Sequence, residues 1–484
     1  MLLATLCAGH ALGAFAGPTG DPMSDAPLQT LPVRTTLGFE RLRLQGDESL
    51  GLLGASYVAE LTPGWWLGPA LYGAATGRRG GLFTWGAEGQ RRWRPANRWE
   101  LVTGVYVGGG GGANAPVGGG LMLRPHADLM FDFGGWSGGV SASQVRFPSG
   151  TLQSTQLGWV VAVHDDLVFT PPGPSGRKVA FGGAGSPGSD RLNVLAGRYG
   201  SGAGNVASFA TTGVRLDRVI NPVWWGTVEA SGAATGSADG YAEVLAGALA
   251  LWPIGNESFR AGARAALGLG GGGSVATGGG SIAKLAMLGR VRVTDTLSVE
   301  MEAGRARAFS GAFNTNIAQL SLGMMLGGAA SGSTRTTVHD TEWSISVQDY
   351  ARAQRKDGSA RGLSAIGLKF RRQVNDYLYL SGQAHSAITG GAGAYSAGLM
   401  GPGTTTRIAS SPHWSVGAEA LLGAAGGGGV ATRGGIVVQP MLWIGHDLGV
   451  FSRIKAGAGY LKSLRADLST PVFDLTWAVA FGGP

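Results

Sequence analysis

The sequence is short of cysteine, of charge and of long apolar runs. Its 484 residues include one cysteine, Cys7, and only 14% charged residues. A single cysteine cannot form a disulfide within the chain, so an exported product must be stable without one. So little charge is unusual for a surface that faces water. No segment has 18 consecutive apolar residues, so no transmembrane helix is expected.

Glycine and hydrophobic residues are abundant instead. The chain has 88 glycines, 14 tryptophans and 44% hydrophobic residues. Glycine is present at about two and a half times its usual share. Collagen is excluded because no period of three is present, and the hydrophobic content argues against simple disorder. The composition predicts that something other than water covers much of the surface.

The first residues have the pattern of an export signal. An apolar run extends from Leu2 to Leu12, and Ala14-Phe-Ala16 follows the small-x-small rule of a cleavage site. We therefore predict a secretory signal peptide at residues 1–16. Cys7 lies inside it, so the mature chain would have no thiol. Residues 17–32 are polar and rich in proline, and we predict that they form a periplasmic tail.

Three glycine runs point to internal repeats. They occupy residues 104–124, 268–282 and 423–437. A second motif precedes each run: Gly73-Ala-Ala-Thr-Gly77 recurs at residues 232–236 and, more loosely, at residues 386–390. Spacings of roughly 155 residues with matched flanks indicate a copied structural unit. We predict units at residues 33–165, 191–326 and 338–484, with linkers at residues 166–190 and 327–337.

Within each unit, segments of about ten residues alternate between apolar and polar positions. From Leu121 to Phe133, for example, the odd-numbered residues are mostly apolar, whereas Arg124, His126 and Asp128 lie on the other face. This period of two is typical of β-strands. Eight such segments are expected in each unit. A closed β-barrel is the way for strands to cross a bilayer, because closure pairs every backbone group.

The last segment, Phe473-Asp-Leu-Thr-Trp-Ala-Val-Ala-Phe481, resembles the final strand of bacterial outer-membrane β-barrel proteins. Together with the export signal and the alternating segments, it makes the chain similar to that broad class. The resemblance implies a location in the bacterial outer membrane, reached by export through the inner membrane. It also implies that Phe473, Trp477 and Phe481 form the signal read by the barrel insertion machinery. No narrower family is recognised, so no catalytic or binding residues are carried over.

The expected fold is all-β, an antiparallel transmembrane β-barrel, in one of two arrangements. A single barrel of about 24 strands would be ~48 Å across, whereas an eight-stranded barrel would be ~16 Å across and filled by its own side chains. Low charge and small residues favour three tandem barrels. Mostly short connections favour one sheet. We predict one barrel of about 24 strands, with three tandem eight-stranded barrels as the alternative.

Aromatic residues lie beside the short turns predicted on the periplasmic side, such as Thr62-Pro-Gly64 and Asn221-Pro222. Aromatic girdles are typical of membrane interfaces. The alternative is that they are core aromatics of a soluble β-sandwich. The predicted girdle residues are Trp65, Trp66, Trp136, Trp224, Trp225, Tyr377 and Trp443.

The strand alternation also predicts a basic lumen, and the formal net charge is +8. A basic lumen would favour anions, and cations on the rims could pair with lipopolysaccharide phosphates. No connection is long enough to narrow so wide a pore, so a partner would have to occupy it. The predicted lumen-facing residues are Arg124, His126, Asp128, Lys284, Arg290, Arg292, Lys369 and Arg371.

Few residues suggest other chemistry. His385-Ser386 is the only adjacent His-Ser pair, and no Gly-x-Ser-x-Gly motif is present, so we do not expect an enzyme. We expect no metal site and no cofactor. The cations are scattered among strands, which disfavours nucleic-acid binding.

Two functions remain. The first is an outer-membrane channel or conduit with a basic lumen, with or without a partner as its plug. The alternative is a structural or surface-interaction protein of closed barrels without transport activity.

Overall fold

The structure, a computed structural model, describes residues 28–44, 48–180, 190–200, 208–326, 335–433 and 435–483. The predicted signal peptide and most of the predicted tail lie outside these residues. The end of the tail does not, because the first strand begins at Gln29 and includes Pro32; that boundary is therefore wrong. Among the described residues no helix has the length and apolarity needed to span a membrane.

The first eight strands form a closed antiparallel barrel, which we call barrel one. Each strand pairs with the next, and the eighth returns to pair with the first, where Val33 faces Asp165. The strands are β1 Gln29–Arg43, β2 Ser49–Thr62, β3 Trp65–Thr76, β4 Phe83–Ala96, β5 Trp99–Gly111, β6 Met122–Asp132, β7 Trp136–Arg146 and β8 Gln153–Phe169.

A short strand, β9 Arg177–Ala180, follows. Barrel two then closes in the same way as barrel one, with its eighth strand paired to its first. Its strands are β10 Asp190–Tyr199, β11 Phe209–Val219, β12 Trp224–Thr235, β13 Ala242–Ile254, β14 Asn256–Gly271, β15 Ser281–Arg292, β16 Leu297–Ala308 and β17 Asn314–Met325.

The last eight strands form barrel three, in which the first strand pairs with both the second and the eighth. The strands are β18 Arg335–Gln354, β19 Ala360–Gln373, β20 Leu378–Ala387, β21 Ser396–Ile408, β22 Ser411–Gly426, β23 Ile436–Asp447, β24 Ser452–Ser463 and β25 Ser469–Gly483. Strand β9 pairs with the start of β18, before β18 joins the barrel wall.

The prediction of one barrel with about 24 strands is wrong; the sheets close as three barrels of eight strands, the predicted alternative. The physical reason lies in the first strand of each unit. In β10, Val194 pairs with Val214 on one side and Leu322 on the other. Both edges of β10 are thus used within its own unit, and no edge remains for a neighbouring unit.

The alternation that predicts the strands also sets their faces. In β6 the side chains of Met122, Arg124, His126 and Asp128 are buried, whereas Leu129 is exposed. Polar residues therefore lie inside the barrel and apolar residues outside. This is the reverse of a water-soluble barrel and is the pattern expected of transmembrane strands.

The segments predicted as linkers are partly strand. Residues 166–169 end β8, and Arg177–Ala180 form β9. Residues 335–337 open β18 rather than ending the second linker. The pairing of β9 with β18 satisfies backbone groups in both segments, which is why they are ordered strands instead of free connections.

The three barrels pack side by side in a ring. The third strand of each barrel contacts the fifth strand of a neighbour: β3 contacts β14, β12 contacts β22, and β20 contacts β5. Each barrel therefore uses one face toward one neighbour and a different face toward the other. Such head-to-tail contacts close into a ring when the rotation between copies permits it, and here they close at three.

Candidate functional site

The candidate site comprises the three barrel interiors and the loops that close them. At one end of each barrel lie the connections after the first, third, fifth and seventh strands. We call this the glycine end, because the glycine runs lie there. The opposite end, where the first strand begins and the eighth finishes, is the terminal end.

Buried ion pairs cross the interior of barrel two. The Arg215 guanidinium lies 2.6 Å from Asp217, 2.5 Å from Glu300 and 3.1 Å from Glu302. Its side chain has no exposed surface. Charges held this close in a low-dielectric interior are stable only when each finds a partner. Arg215 therefore ties β11 to β16 across the space that a channel would need open.

A second set of ion pairs continues the network toward the glycine end. The Lys284 ammonium lies 2.7 Å from Glu229 and 3.0 Å from Glu243. Arg264 lies 2.8 Å from Glu229 and 3.1 Å from Glu302. Cations and carboxylates thus alternate through the middle of barrel two, and the interior is filled.

Barrel one holds a smaller network of the same kind. Arg124 donates from Nε and Nη2 to the two oxygens of Glu40, each at 3.0 Å. His126 lies between two carboxylates, 3.4 Å from Glu88 and 3.0 Å from Asp128. All five side chains are buried, so this interior too is occupied by its own residues.

Barrel three has more cations than carboxylates in its interior. Glu342 is shared by Arg371, Arg453 and Lys455, and Lys369 lies 2.7 Å from Asp474. Arg453 also pairs with Asp447, so these positions place four cations against three carboxylates.

The middle of barrel three also contains polar groups without hydrogen-bond partners in the described part of the chain. Several of its buried polar atoms have no hydrogen-bond partner among the described residues. Buried polar groups of this kind are usually satisfied by water. The unpartnered atoms include Nε2 and Oε1 of Gln383, Nε2 of Gln348, Oε1 of Gln439 and Nδ1 of His385.

An apolar layer closes each barrel at the glycine end. Aromatic rings fill its centre: Tyr72 and Tyr106 in barrel one are 4.7 Å apart, Tyr199 and Phe209 in barrel two are 4.9 Å apart, and Tyr350 and Tyr395 in barrel three are 5.8 Å apart. Aliphatic side chains surround these rings in three separate clusters. This layer excludes water from the outer part of every interior.

The glycine runs form lids over these layers. They connect the fifth and sixth strands of each barrel, and each contains three successive residues with positive φ. In barrel two these are Gly272, Gly273 and Ser274, with φ of 91°, 56° and 61°. Glycine adopts this conformation without steric cost. The matching residues are Gly112, Ala113 and Asn114 in barrel one and Gly427, Gly428 and Gly429 in barrel three.

The left-handed turn folds each loop back over its barrel. The amide of Val275 donates to the carbonyl of Gly272 at 3.0 Å, and Val430 donates to Gly427 at 3.1 Å. Val275 packs on the apolar layer of barrel two, and Val430 belongs to that of barrel three. No connection was expected to narrow a wide pore. Over these narrower barrels of eight strands, the left-handed residues let a short hairpin fold inward.

The same loops join neighbouring barrels. Gly80 in barrel one donates to the carbonyl of Gly278 in barrel two at 2.8 Å, and Gly393 in barrel three donates to Gly118 in barrel one at 3.1 Å. At the third contact a side chain takes this place. There the Thr432 hydroxyl of barrel three donates to the Asp239 carboxylate of barrel two at 2.9 Å.

The predicted lumen residues occupy two kinds of position. Arg292 has the inward parity of β15, but its side chain is exposed because it is the last residue of that strand. Lys369 is partly buried beside Asp474. The other six side chains are buried in the barrel interiors: Arg124, His126, Asp128, Lys284, Arg290 and Arg371.

The predicted girdle aromatics divide between two faces. Trp65 is 57% exposed on the outside of barrel one, whereas Trp66 is 6% exposed and lies inside, with Arg92 over its ring at 4.6 Å. Adjacent strand residues point to opposite faces, so a tryptophan pair cannot lie wholly in a girdle. Trp136, Trp224 and Tyr377 are outside like Trp65, whereas Trp225 and Trp443 are inside like Trp66.

The predicted insertion signal lies on β25, whose residues pair with β18 and β24. Phe473 is exposed, and Trp477 donates from its indole nitrogen to Ser452 at 3.0 Å. Phe481 is buried against Trp343 of barrel three and Phe169 of barrel one. The last aromatic therefore contributes to the contact between barrels.

The adjacent pair His385-Ser386 does not form a catalytic arrangement. His385 Nε2 lies 2.8 Å from Ser346, while Ser386 lies 2.6 Å from Ser396. Neighbouring residues of a strand point apart, so the imidazole cannot reach the hydroxyl beside it. Across the described ranges no group of three or more His, Cys, Asp or Glu side chains could hold a metal ion.

Sequence reasoning missed the residues that carry most of the interior network, namely Arg215, Arg264, Glu300, Glu302 and Glu342. The sequence does contain a pattern that could have identified them. In β11 and β16, charged residues recur at every second position, as in Arg215 and Asp217, and this parity places both side chains on one face.

Comparisons with known proteins give no close relative. The sequence matches no protein-family model and no curated protein.

Solved structures of Pseudomonas aeruginosa proteins are matched over 94% of this chain. OccK11 (OpdR) is 13% identical with 96% of its chain covered and a TM-score of 0.23. The outer membrane protein opdK is 8% identical with 99% covered and a TM-score of 0.24. OccK2 (OpdF), solved in complex with glucuronate, is 10% identical with 98% covered and a TM-score of 0.22. These TM-scores are too low for the likeness to carry an argument about fold or function.

Proposed function

We propose that this chain is an integral protein of the bacterial outer membrane whose three sealed barrels form one platform without an open aqueous route. The observation that carries the proposal is the double closure of each barrel. An apolar layer with its glycine lid closes one end, and buried ion pairs cross the middle. A structural or surface-interaction role fits this geometry better than free diffusion through a barrel.

The outer surface supports the membrane setting. Large apolar side chains point away from each barrel, including Leu157 (77% exposed), Met301 (69%) and Leu442 (68%). A contiguous apolar outer surface of this kind is unfavourable in water and favourable in hydrocarbon. Exposed aromatics such as Trp65, Trp224 and Tyr377 lie toward the terminal end, where a membrane interface would place them. Outer-membrane lipid, lipopolysaccharide and the insertion machinery are the partners this setting implies.

A planar-bilayer experiment tests the proposal. The refolded wild-type protein should insert yet give no stable single-channel conductance, and liposomes containing it should not swell in permeant sugars. A barrel of eight strands is ~16 Å across before its side chains are counted, so no space for a sugar remains. Steady ohmic conductance from the wild-type protein would overturn the sealed-platform proposal.

A second candidate is a gated anion conduit through barrel three. It is favoured by the excess of cations and by the unpartnered polar atoms in that interior, which would accommodate water. The tyrosine layer would then act as the gate, and the cations around Glu342 would select anions. A partner or membrane condition would have to open that gate.

The two candidates differ in what happens when an apolar layer is removed. The variant Tyr350→Ala/Tyr395→Ala/Leu399→Ala removes the layer of barrel three, and Tyr199→Ala/Tyr241→Ala/Phe313→Ala is the matched variant of barrel two. A sealed platform predicts no conductance from either variant. A gated conduit predicts an anion-selective conductance from the barrel-three variant only, since the ion pairs of barrel two remain in place.

A further inference from the structure

Three arginines lie together on the outer surface of barrel two, near its glycine end. Arg198 is on β10, and Arg305 and Arg307 are on β16; all three side chains are exposed. Strand β17 lies between these two strands. Neighbouring strands are about 4.8 Å apart, so the two rows of guanidinium groups are roughly 10 Å apart, within reach of one headgroup.

The strand between the arginine rows is uncharged at this level. Asn316 pairs with Arg305 in the register, and Ala318 pairs with Arg198. The Nε of Arg305 donates to the Asn316 side chain at 3.3 Å, and Arg198 donates to the Ser208 hydroxyl at 3.5 Å. These are neutral partners, which leave the positive charges uncompensated.

No carboxylate lies within ion-pair distance of the three arginines among the residues that the structure describes. The neighbouring connections at residues 201–207 and 309–313 contain no Asp or Glu in the sequence. Another exposed arginine of the same barrel does have a carboxylate partner. Arg218, which is also exposed on the outer surface, pairs with Asp190 at 3.4 Å.

The patch lies where the apolar surface ends. On the same outer face, the next large side chains toward the terminal end are Met301, Leu320 and Val194, all exposed. Arginines at such a boundary extend their apolar stems along the surface and hold the guanidinium at the level of lipid headgroups. Guanidinium binds phosphate with paired, charge-assisted hydrogen bonds.

Barrel one repeats the arrangement on the equivalent strands. Arg41 and Arg43 are exposed on β1, and Arg146 is exposed on β7. The strand between them, β8, presents the uncharged Gln153 and Thr155 outward. At the glycine end these strands lie away from the third and fifth strands that contact neighbours, so the patches face out of the ring there.

We propose that Arg198, Arg305 and Arg307 form a binding site for the phosphate groups of a membrane-lipid headgroup. The proposal rests on the membrane location proposed above. The ligand is a phosphorylated lipid whose acyl chains lie along the Met301 and Leu320 surface while its phosphates reach the arginines. The site would hold that lipid at the glycine end of barrel two.

Native mass spectrometry of the full chain in neutral detergent tests the site, with lipid A as the probe. The wild-type protein should retain lipid A, and Arg198→Gln/Arg305→Gln/Arg307→Gln should lose most of it. At about fivefold per arginine, the expected loss in affinity is roughly a hundredfold. The control Arg218→Gln/Arg260→Gln/Arg292→Gln removes the same charge near the terminal end and should retain lipid A as the wild type does.

Two further arms identify the source of the phosphate. Dephosphorylated lipid A with the same acyl chains should not be retained, and millimolar inorganic phosphate should not displace lipid A. The triple arginine-to-lysine variant keeps the charge and should keep most of the retention. Equal retention by the wild type and the glutamine variant would overturn the site, and displacement by inorganic phosphate would overturn the lipid as its ligand. Either failure leaves the conductance test of the platform unaffected.

Discussion

The amide of Gly80 in barrel one donates a hydrogen bond of 2.8 Å to the carbonyl of Gly278 in barrel two. Both residues lie in or beside the repeated motifs: Gly80 comes three residues after the Gly73-Ala-Ala-Thr-Gly77 segment, and Gly278 lies in the second glycine run. The connection after the third strand of one barrel thus meets the glycine run of its neighbour. Backbone meets backbone because neither side has a side chain to hold them apart.

We predict that Gly109→Ala weakens the contact between barrels one and three. Gly109 lies in β5, and a Cβ there would be 2.5 Å from the carbonyl oxygen of Ser386 in barrel three. Overpacking of this kind costs about 1–3 kcal/mol. The substitution should lower the unfolding temperature and lengthen a spin-label distance between the two barrels. Gly398→Ala is the matched control, because its Cβ would meet nothing within 4 Å. An unchanged distance in Gly109→Ala would show that the contact does not hold the ring.

We predict that Arg433→Gly stabilises barrel three. Arg433 has φ of 35°, at the position where barrels one and two have Gly118 (φ 60°) and Gly278 (φ 64°). An L-residue in the left-handed region costs about 1–2 kcal/mol, which glycine does not pay. Because glycine also has more freedom when unfolded, the net gain should be smaller, up to about 1 kcal/mol. Denaturant unfolding in detergent micelles measures it.

The reverse change supplies the control for Arg433. Gly278→Arg introduces the strain and also places a Cβ 2.5 Å from the Ser310 carbonyl oxygen, so it should destabilise barrel two. If Arg433→Gly lowers the stability of barrel three instead, the Arg433 side chain stabilises the folded state by more than its left-handed backbone conformation destabilises it.

We predict that Arg215→Met destabilises barrel two by about 3–5 kcal/mol, the usual effect of removing one partner from a buried ion pair. The substitution leaves Asp217, Glu300 and Glu302 without their shared cation. Methionine fills much of the volume of the Arg215 side chain, so the loss of stability measures the effect of removing the charge. The comparison is Arg218→Met, which breaks a single exposed pair and should cost no more than about 1 kcal/mol. Equal effects of the two substitutions would contradict a network that depends on Arg215.

We predict a pH-dependent contribution from Glu48, in the connection between β1 and β2. Arg79 donates to its two oxygens at 2.9 and 2.6 Å, and these hydrogen bonds lower the pKa of Glu48 below its usual value. A carboxylate with a lowered pKa stabilises the folded state at neutral pH and loses this effect as the pH falls through that pKa. Glu48→Gln should therefore be less stable than the wild type at pH 7, and the difference should vanish in acid.

The size of the Glu48 effect is limited by solvent. Both side chains are partly exposed, so the pair should contribute no more than about 1 kcal/mol. Arg79→Ala should cost more than Glu48→Gln, because Arg79 also donates to the carbonyls of Ala113 and Asn114 at 3.0 and 2.9 Å. A difference between wild type and Glu48→Gln that grows toward low pH would have the wrong sign for this mechanism.

Local patterns predicted the strands well and their closure poorly. The alternation around Arg124 and His126 predicts β6 and its faces, because side-chain direction depends only on position along the strand. Whether β8 returns to β1 or continues to β10 depends on pairing between segments far apart in sequence. Short connections between units fit one large barrel and three adjacent barrels equally well. The number of strands per unit was therefore predictable, whereas the number of barrels was not.

The same limit applies to the interior. Arg124 is predicted to point inward from β6 alone, yet its partner Glu40 is 84 residues away in sequence. Nothing in the sequence around either residue indicates that they meet. The glycine lid was missed for another reason: three successive left-handed residues shorten a hairpin, and Ala113, Asn114 and Ser274 show that the sequence need not be glycine at each of them.

The bridge at Thr170 gives the chain an unusual connectivity. The amide of Thr170 donates to the carbonyl of Gly482 at 3.0 Å, and the amide of Gly482 donates back at 2.7 Å. Gln29 pairs with Phe169, the residue before Thr170, so the first and last described strands finish beside each other. A circular permutant that joins these strands and opens the chain before Asp190 should therefore adopt the same ring, with barrel two synthesised first and barrel one last. The arrangement of the three barrels in the ring therefore does not depend on which of them comes first in the sequence.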